Sequence, residues 1–348
     1  MVTQNPDFSI CIPFYNTDSI YLRECLDSVA EQINADFEVI IVDDGSTESS
    51  FARLQEIVET YPSIPVKVVH IEHAGLYEAR RAAYASASGR YVVNLDSDDC
   101  LFDGEALERV KRAIDQFGQP DMIMFNAYCD RAGHIPMQRF EATLGLTGQI
   151  GRESFFNVFV GTYALNSAVC KVFKADIAKS LAIVEPDLVM CEDRLITVQV
   201  LQSARSIAVV DEPLMYYRQR PDSSVHREFR FGDFEQQVRV ERHVLRILQA
   251  EGIDVDRWAN ARIRWIVGDC LSVRKTIKSP ERRHDMYRVI WKSSYANECW
   301  SQRRPAGAHA DMLLLGSMLH RGWNRAFDWT AHVRIRAVDA IKHATRRF

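Results

Sequence analysis

Within the first hundred residues, four apolar runs alternate with three helical patterns, and this order constrains the fold more than any other feature. The runs are Ser9 to Pro13, Phe37 to Val42, Val66 to Ile71 and Arg90 to Leu95. Most are short and nearly continuous in apolar residues, as strands covered on both faces are. Pro13 ends the first, since proline cannot donate to a ladder. Between them, Leu22 to Gln32, Phe51 to Glu59 and Leu76 to Ser88 show helical spacing; Leu22, Leu26, Val29 and Ile33 share one face, and Gly89 stops the third helix. A β-α-β-α-β-α-β order predicts an α/β fold, with a mostly parallel central sheet and helices on both faces.

In open sheets of this kind, ligands bind beyond the carboxyl ends of the strands. Three stretches meet there: Pro13-Phe14-Tyr15-Asn16, Asp43-Asp44 and Asp96-Ser97-Asp98-Asp99. The last crowds three carboxylates into four positions, so something must neutralise them. Carboxylate oxygens are hard ligands that suit Mg²⁺ or Mn²⁺, and Mg²⁺ commonly takes one or two of them plus water and phosphate oxygens. The spacing fits a metal carrying a nucleoside diphosphate. A helix cap by Asp98 or Asp99 would use the same residues. Asp44 could accept a base N–H with Tyr15 stacked on the ring, although a capped turn explains Asp43-Asp44-Gly45-Ser46 as well.

Beyond residue 100 the pattern loosens. Asp121 to Tyr128 and Ser206 to Val210 read as strands, 130–160 as a loop with a short helix, and Ala168 to Phe173 as strand or helix. Leu195 to Ser203 reads as an amphipathic helix, and from about Phe229 onward every pattern is helical. Glu192-Asp193 enters the Leu195 helix, either as favourable N-terminal charge or as a general base near the metal. Arg218, Ser223, Ser224 and His226 lie in a polar loop; they could clamp a diphosphate or add a metal ligand, or the loop could be plain solvated surface.

The net charge of −4 conceals an asymmetry: residues 261–348 hold 18 Lys/Arg against 7 Asp/Glu, while the first 260 hold 25 against 40. A basic tail on an acidic body suggests an anionic partner. The eight cysteines include no C-x-x-C pair and several sit in apolar runs, which predicts buried free thiols in a reducing cytoplasm. No signal-peptide pattern is visible at the N-terminus, and no apolar run approaches the roughly 18–20 residues of a membrane span.

Together these segments resemble family 2 glycosyltransferases with the GT-A fold. The matching stretches are Ser9 to Asn16, Leu22 to Gln32, Phe37 to Ser46, Gly75 to Arg80 and Gly89 to Asp99, followed by Glu192-Asp193 and Tyr216-Tyr217-Arg218. The resemblance covers about residues 8–226. It implies a Rossmann-like GT-A catalytic domain over 1–227, with a nucleotide-sugar half at about 1–100 and an acceptor half at about 101–227. A helical, basic region follows over 228–348. By that resemblance Pro13 and Tyr15 line the base pocket, Asp44 contacts the base, Asp96 lies by the ribose, and Arg80 belongs to the donor site. Asp98 ligates Mn²⁺ or Mg²⁺ with Asp99 in reserve, and Asp193 is the catalytic base. Arg218, Ser223, Ser224 and His226 close over the diphosphate, with His226 available to the metal.

The implied activity is inverting, metal-dependent transfer of a hexosyl or N-acetylhexosaminyl group to a glycan or lipid-linked acceptor. UDP is the family's usual nucleotide; GDP and TDP stay open. This chain departs from the family pattern at His73, Arg81 and Ala83, where Asn, Asn and Gly are usual. The absence of a Gln-x-x-Arg-Trp signature argues against a processive polymerase. A metal-dependent nucleotidyltransferase would share the acidic site but call for a Gly-rich basic loop where Phe14-Tyr15-Asn16-Thr17 stands. A receiver-type signalling domain leaves Glu192-Asp193 unexplained. An inactive sugar-nucleotide-binding protein is the remaining alternative.

In the tail, Trp329, Val333, Ala337, Ile341, Ala344 and Phe348 can share a helical face beside Arg334, Arg336, Lys342, Arg346 and Arg347. This pattern suits peripheral contact with the inner face of the cell membrane, and equally a helix packed on the catalytic domain. Nucleic acid is not an expected partner; a homo-oligomer is compatible with the sequence.

Overall fold

The computed structural model describes residues 5–131, 134–182, 188, 190–219, 230–253, 255–303 and 310–345. The chain divides into two compact units, Met1–Phe159 with Tyr163–Ser223, and Val160–Thr162 with Ser224–Phe348.

The first unit opens with the expected alternation: β1 (Phe8–Phe14), α1 (Ser19–Ala30), β2 (Phe37–Asp44), α2 (Glu48–Glu59), β3 (Val66–Ile71), α3 (Leu76–Ser86) and β4 (Tyr91–Asn94). It continues with β5 (Cys100–Leu101), α4 (Ala106–Gln116), β6 (Met122–Arg131), β7 (His134–Phe140), β8 (Gly148–Ile150), α5 (Arg152–Gly161), β9 (Lys171–Lys174), α6 (Ala175–Lys179), α7 (Glu192–Ser203) and β10 (Ile207–Tyr217). The sheet runs β3-β2-β1-β4-β9-β6-β10-β5, with β7 on β6 and β8 on β10. Six strands, β3, β2, β1, β4, β6 and β10, point the same way; β9 is inserted antiparallel between β4 and β6.

Helices cover both faces. Phe8, Ile10, Ile12 and Phe14 of β1 share a core with Leu22 and Leu26 of α1, Leu54 of α2 and Val110 of α4. On the other face α3 lies against β1 and β2. Its Tyr84 hydroxyl donates to Asn94 Oδ1 at 2.5 Å, and its ring meets Phe173 edge-on.

Several expectations need correction. β1 passes through Pro13 to Phe14, with Pro13 opposite Val42. The Cys11 carbonyl accepts from Leu95 N, so Pro13, two residues on, faces the same way, past the end of β4. No ladder bond is lost there. Ile33 lies beyond α1 and is half exposed. The segment read as loop between 130 and 160 contains β7 and β8. β10 extends the Ser206 strand to Tyr217 across an irregularity at Pro213. Prolines hid both strands: Pro136 sits in β7, off the main path of the sheet, and Pro213 at a bulge. Helix α7 is not amphipathic, for Arg194 through Leu201 are all buried.

The second unit is helical: α8 (Phe231–Ala250), α9 (Asp256–Thr276), α10 (Pro280–Lys292), α11 (Ser294–Gln302), α12 (Ala310–His320) and α13 (Asn324–Thr345). Helix α9 packs against α10, α11, α12 and α13. Its Trp258 Nε1 donates to Glu241 Oε2 at 3.0 Å, and Arg262 pairs with the same carboxylate. Among the described residues, no helix is long and apolar enough to cross a membrane.

Candidate active site

The carboxyl ends of β1, β2 and β4 deliver the three expected stretches to one edge of the sheet. At β2, Asp44 is buried, and its Oδ1 accepts from Ala74 N at 2.7 Å and its Oδ2 from Gly75 N at 3.0 Å. His73 Nδ1 lies 3.0 Å from both the Asp44 carbonyl oxygen and Oδ2. Both partners are acceptors, so Nδ1 carries the proton and a neutral ring keeps Nε2 as an acceptor. The half-exposed Tyr15 ring stacks on His73 with centroids 4.4 Å apart. Gly45 makes this turn possible: its φ is +66°, and a Cβ there would lie 2.6 Å from His73 N.

At β4 the acidic stretch is neutralised from below. Arg80 of α3 is buried, and its Nη2 donates to Asp96 Oδ1 at 2.9 Å. Its Nη1 donates to Asp193 Oδ1 at 2.6 Å and to Glu192 Oε1 at 3.3 Å. Burial works against the Arg80 charge, but Asp96, Asp193 and Glu192 outweigh it and hold the guanidinium protonated. Asp99 is buried too, and its Oδ1 accepts from Arg218 N at 2.8 Å. Its Oδ2 is buried with no hydrogen-bond partner. Burial, then the charges of Asp96 and Asp98, push the Asp99 carboxyl well above the usual carboxylate range. Asp98 is half-buried on the same turn.

Glu192 and Asp193 occupy the first turn of α7, entered through Cys191 in a left-handed conformation with φ +66°. Two anchors hold α7 in place. Arg194 lies over the rings of Phe159 and Tyr163 and donates to Asn166 Oδ1 at 3.1 Å. Tyr77 of α3 donates to Gln199 Oε1 at 3.1 Å, tying the helix that carries Arg80 to the one that carries Asp193. Burial, then the Asp193 charge, push the Glu192 carboxyl up to about 7. The Asp193 side chain is 31% exposed.

The described part of the Tyr217 exit is held by Arg218, whose guanidinium lies over Tyr21 and Tyr216, pairs with Glu24 and donates from Nε to the Asp98 carbonyl at 2.9 Å. Ser223, Ser224 and His226 lie outside the described residues. Among the described residues no three His, Cys, Asp or Glu side chains cluster to hold an ion by themselves. Asp98 and Asp99 nevertheless suit a hard cation completed by phosphate oxygens and water, and the unpartnered Asp99 Oδ2 is a ready donor.

Residues 9–167 match the family model for Glycosyl transferase family 2. The chain carries a family 2 glycosyltransferase domain. It is 27% identical over 229 residues to the uncharacterized glycosyltransferase EpsJ of Bacillus subtilis, covering 63% of this chain and 62% of EpsJ. It is 27% identical over 216 residues to the poly(ribitol-phosphate) beta-N-acetylglucosaminyltransferase TarS of Staphylococcus aureus, covering 60% of this chain and 35% of TarS. Both matches span less than two thirds of the relative. The crystal structure of S. aureus TarS 1-349 in complex with UDP-GlcNAc superimposes with a TM-score of 0.67 at 19% identity, over 95% of this chain and 92% of that one. The fold is GT-A.

In this glycosyltransferase domain, sequence reasoning missed Tyr21 and Glu24, whose part appears only once β10 is seen to bring Arg218 to α1. It also missed Lys171, buried on β9, with Nζ donating to Ser167 O at 2.5 Å and a pKa that burial lowers to about 8. A lone Lys inside Ala-Val-Cys-Lys-Val-Phe was the available signal.

Proposed function

We propose that the chain transfers a hexosyl or N-acetylhexosaminyl group from a nucleoside diphosphate sugar, UDP first, to a hydroxyl of a glycan or lipid-linked acceptor, inverting the anomeric carbon. Supporting the UDP reading, TarS 1-349 has been crystallised with UDP-GlcNAc, and the TarS name describes a transferase acting on poly(ribitol-phosphate). The observation that carries the proposal is Arg80: one buried guanidinium holds Asp96 at the donor strand end and Asp193 at the helix entrance.

Asp193 takes the proton of the acceptor hydroxyl as its oxygen bonds to the anomeric carbon. Arg80 aims Asp193 by donating to its Oδ1, and Asp193 Oδ2 has no described partner. The base lies over Tyr15 with its polar edge toward Asp44 and His73, and Asp96 meets the ribose. Arg80 acts on the donor through Asp96, since its own Nη atoms are committed to carboxylates. Asp98 and Asp99 would hold Mn²⁺ or Mg²⁺, an ion that supplies Lewis-acid stabilisation to a leaving diphosphate. Ser223, Ser224 and His226 complete the diphosphate side in this reading, and Pro13 shapes the floor of the base pocket. With one base and no carboxylate assigned as nucleophile, direct displacement follows. In this reading residues 1–227 are catalytic, and the chain works in the cytoplasm on cell-surface polysaccharide, where the basic helices of 228–348 would carry it to the membrane. A homo-oligomer is compatible with this arrangement.

NMR of the first sugar product tests this reading. Turnover of an α-linked UDP-sugar should give a β-linked product, dependent on Mn²⁺ or Mg²⁺. An α-linked product, or nucleotidyl transfer in place of sugar transfer, would contradict it.

A further inference from the structure

Helix α13 is held in one orientation by its inner face. Asp328 accepts from Arg283 Nη2 at 2.6 Å and from the Tyr287 hydroxyl at 2.8 Å, while Phe327 and Ala331 are fully buried. Phe327 meets the Tyr287 ring edge-on at 5.0 Å. With that face fixed, the three- and four-residue spacing turns Arg325, Trp329, His332 and Val333 outward together. Trp329 is 71% exposed, Val333 49%, and Trp323, at the entrance to the helix, 54%. Arg321 lies over the Trp323 ring at 5.2 Å.

Two large aromatic rings left in water within seven residues of chain need an explanation, because a folded chain gains more by burying them. Tryptophan has a particular home at the headgroup level of a bilayer, where its apolar body and N–H are both satisfied. The surrounding charge selects the lipid. Arg321 and Arg325 are exposed beside the two rings. The described acid of this stretch, Asp328, is turned inward onto Arg283, so it does not offset them. Residues 261–348 as a whole carry 18 Lys/Arg against 7 Asp/Glu. A second copy of this chain docked through the same face would bring the same cations against themselves. An anionic lipid surface supplies the opposite charge and a place for the rings.

We propose that Trp323, Trp329 and Val333, flanked by Arg321 and Arg325, form a docking surface for anionic phospholipid headgroups. The rings enter the headgroup layer and the arginines pair with lipid phosphates. This gives residues and a lipid class to the membrane contact proposed above for 228–348, and it does not depend on the glycosyltransferase activity.

The full chain is sedimented with phosphatidylcholine vesicles, with and without phosphatidylglycerol, at low and high salt. The wild type should sediment with the anionic vesicles and be released by salt. Trp323→Ala/Trp329→Ala should weaken association about tenfold or more, and Arg321→Glu/Arg325→Glu should abolish its preference for anionic lipid. Both variants should keep wild-type thermal melting and nucleotide-sugar turnover, being remote in sequence from the donor residues. No vesicle association, equal association with neutral vesicles, or wild-type binding by the tryptophan variant overturns the proposal. So does a concentration-dependent dimer that the tryptophan variant abolishes without any vesicle binding, which would assign the face to a second copy.

Discussion

Arg80 Nη1 lies 2.6 Å from Asp193 Oδ1, across 113 residues of sequence. Through its other Nη atom the same guanidinium holds Asp96. One buried cation thus joins helix α3, the end of β4 and the entrance of α7. Replacing it leaves carboxylates facing each other with no counter-charge. Arg80→Met should destabilise the chain by roughly 2–4 kcal/mol, measured by denaturant unfolding. Arg80→Lys should recover part of that loss, because a single ammonium cannot form the fork that meets two separated carboxylates.

Asp193 is the proposed proton acceptor. Asp193→Asn should retain donor binding while transfer falls by roughly 10²–10⁴-fold. Calorimetry for binding and initial rates for transfer separate the two. A variant that loses both equally would indicate a structural part for Asp193.

Glu192 sets a pH dependence of stability. Burial and the Asp193 charge raise its carboxyl from the usual value of 4.5 to about 7, so between these values the folded state binds the extra proton. Stability from this group is therefore lost as pH rises across that window. Glu192→Gln removes the titration. The variant should gain on the wild type by roughly 1–3 kcal/mol between pH 5 and pH 8. Melting temperatures across that range give the slope, and parallel curves would contradict the reading.

His73 departs from the family pattern, and its contacts define what it can do. Its Nδ1 is committed to Asp44, and its ring carries Tyr15. His73→Ala should weaken UDP binding roughly fivefold to tenfold, about 1 kcal/mol for a lost stack, with kcat nearly unchanged. His73→Phe should keep the stack but lose any preference for bases that present an imino N–H. Titrations with UDP and CDP measure both effects.

Much of the fold of the first hundred residues was legible because its signals are local. Continuous apolar runs and helical spacing gave β1 to β4 with α1 to α3, and the acidic strand ends gave Asp44 and Asp96 to Asp99. What the sequence hid depends on pairing between distant segments. Nothing near Arg80 announces that its partners include residues 192 and 193. Arg218 looked like a free clamp, yet its guanidinium is held by Glu24, Tyr21 and Tyr216, and its backbone N–H holds Asp99. The strands β7 and the far end of β10 contain prolines, which speak against strands unless an edge or a bulge excuses them. The stretch Leu195 to Ser203 looked amphipathic because Thr197 and Gln199 alternate with apolar residues, but both are buried in α7.

The central claim is that one site, bound together by Arg80, holds a nucleotide sugar at Asp96 to Asp99 and a base at Asp193. The most direct measurement is calorimetric binding of UDP-sugars with Mn²⁺ or Mg²⁺, paired with transfer assays, on wild type, Asp98→Ala and Asp193→Asn. Wild type should bind and transfer, Asp98→Ala should lose metal-dependent donor binding, and Asp193→Asn should bind but not transfer. Wild type that binds no nucleotide sugar, or Asp98→Ala that binds and reacts as wild type does, would contradict it.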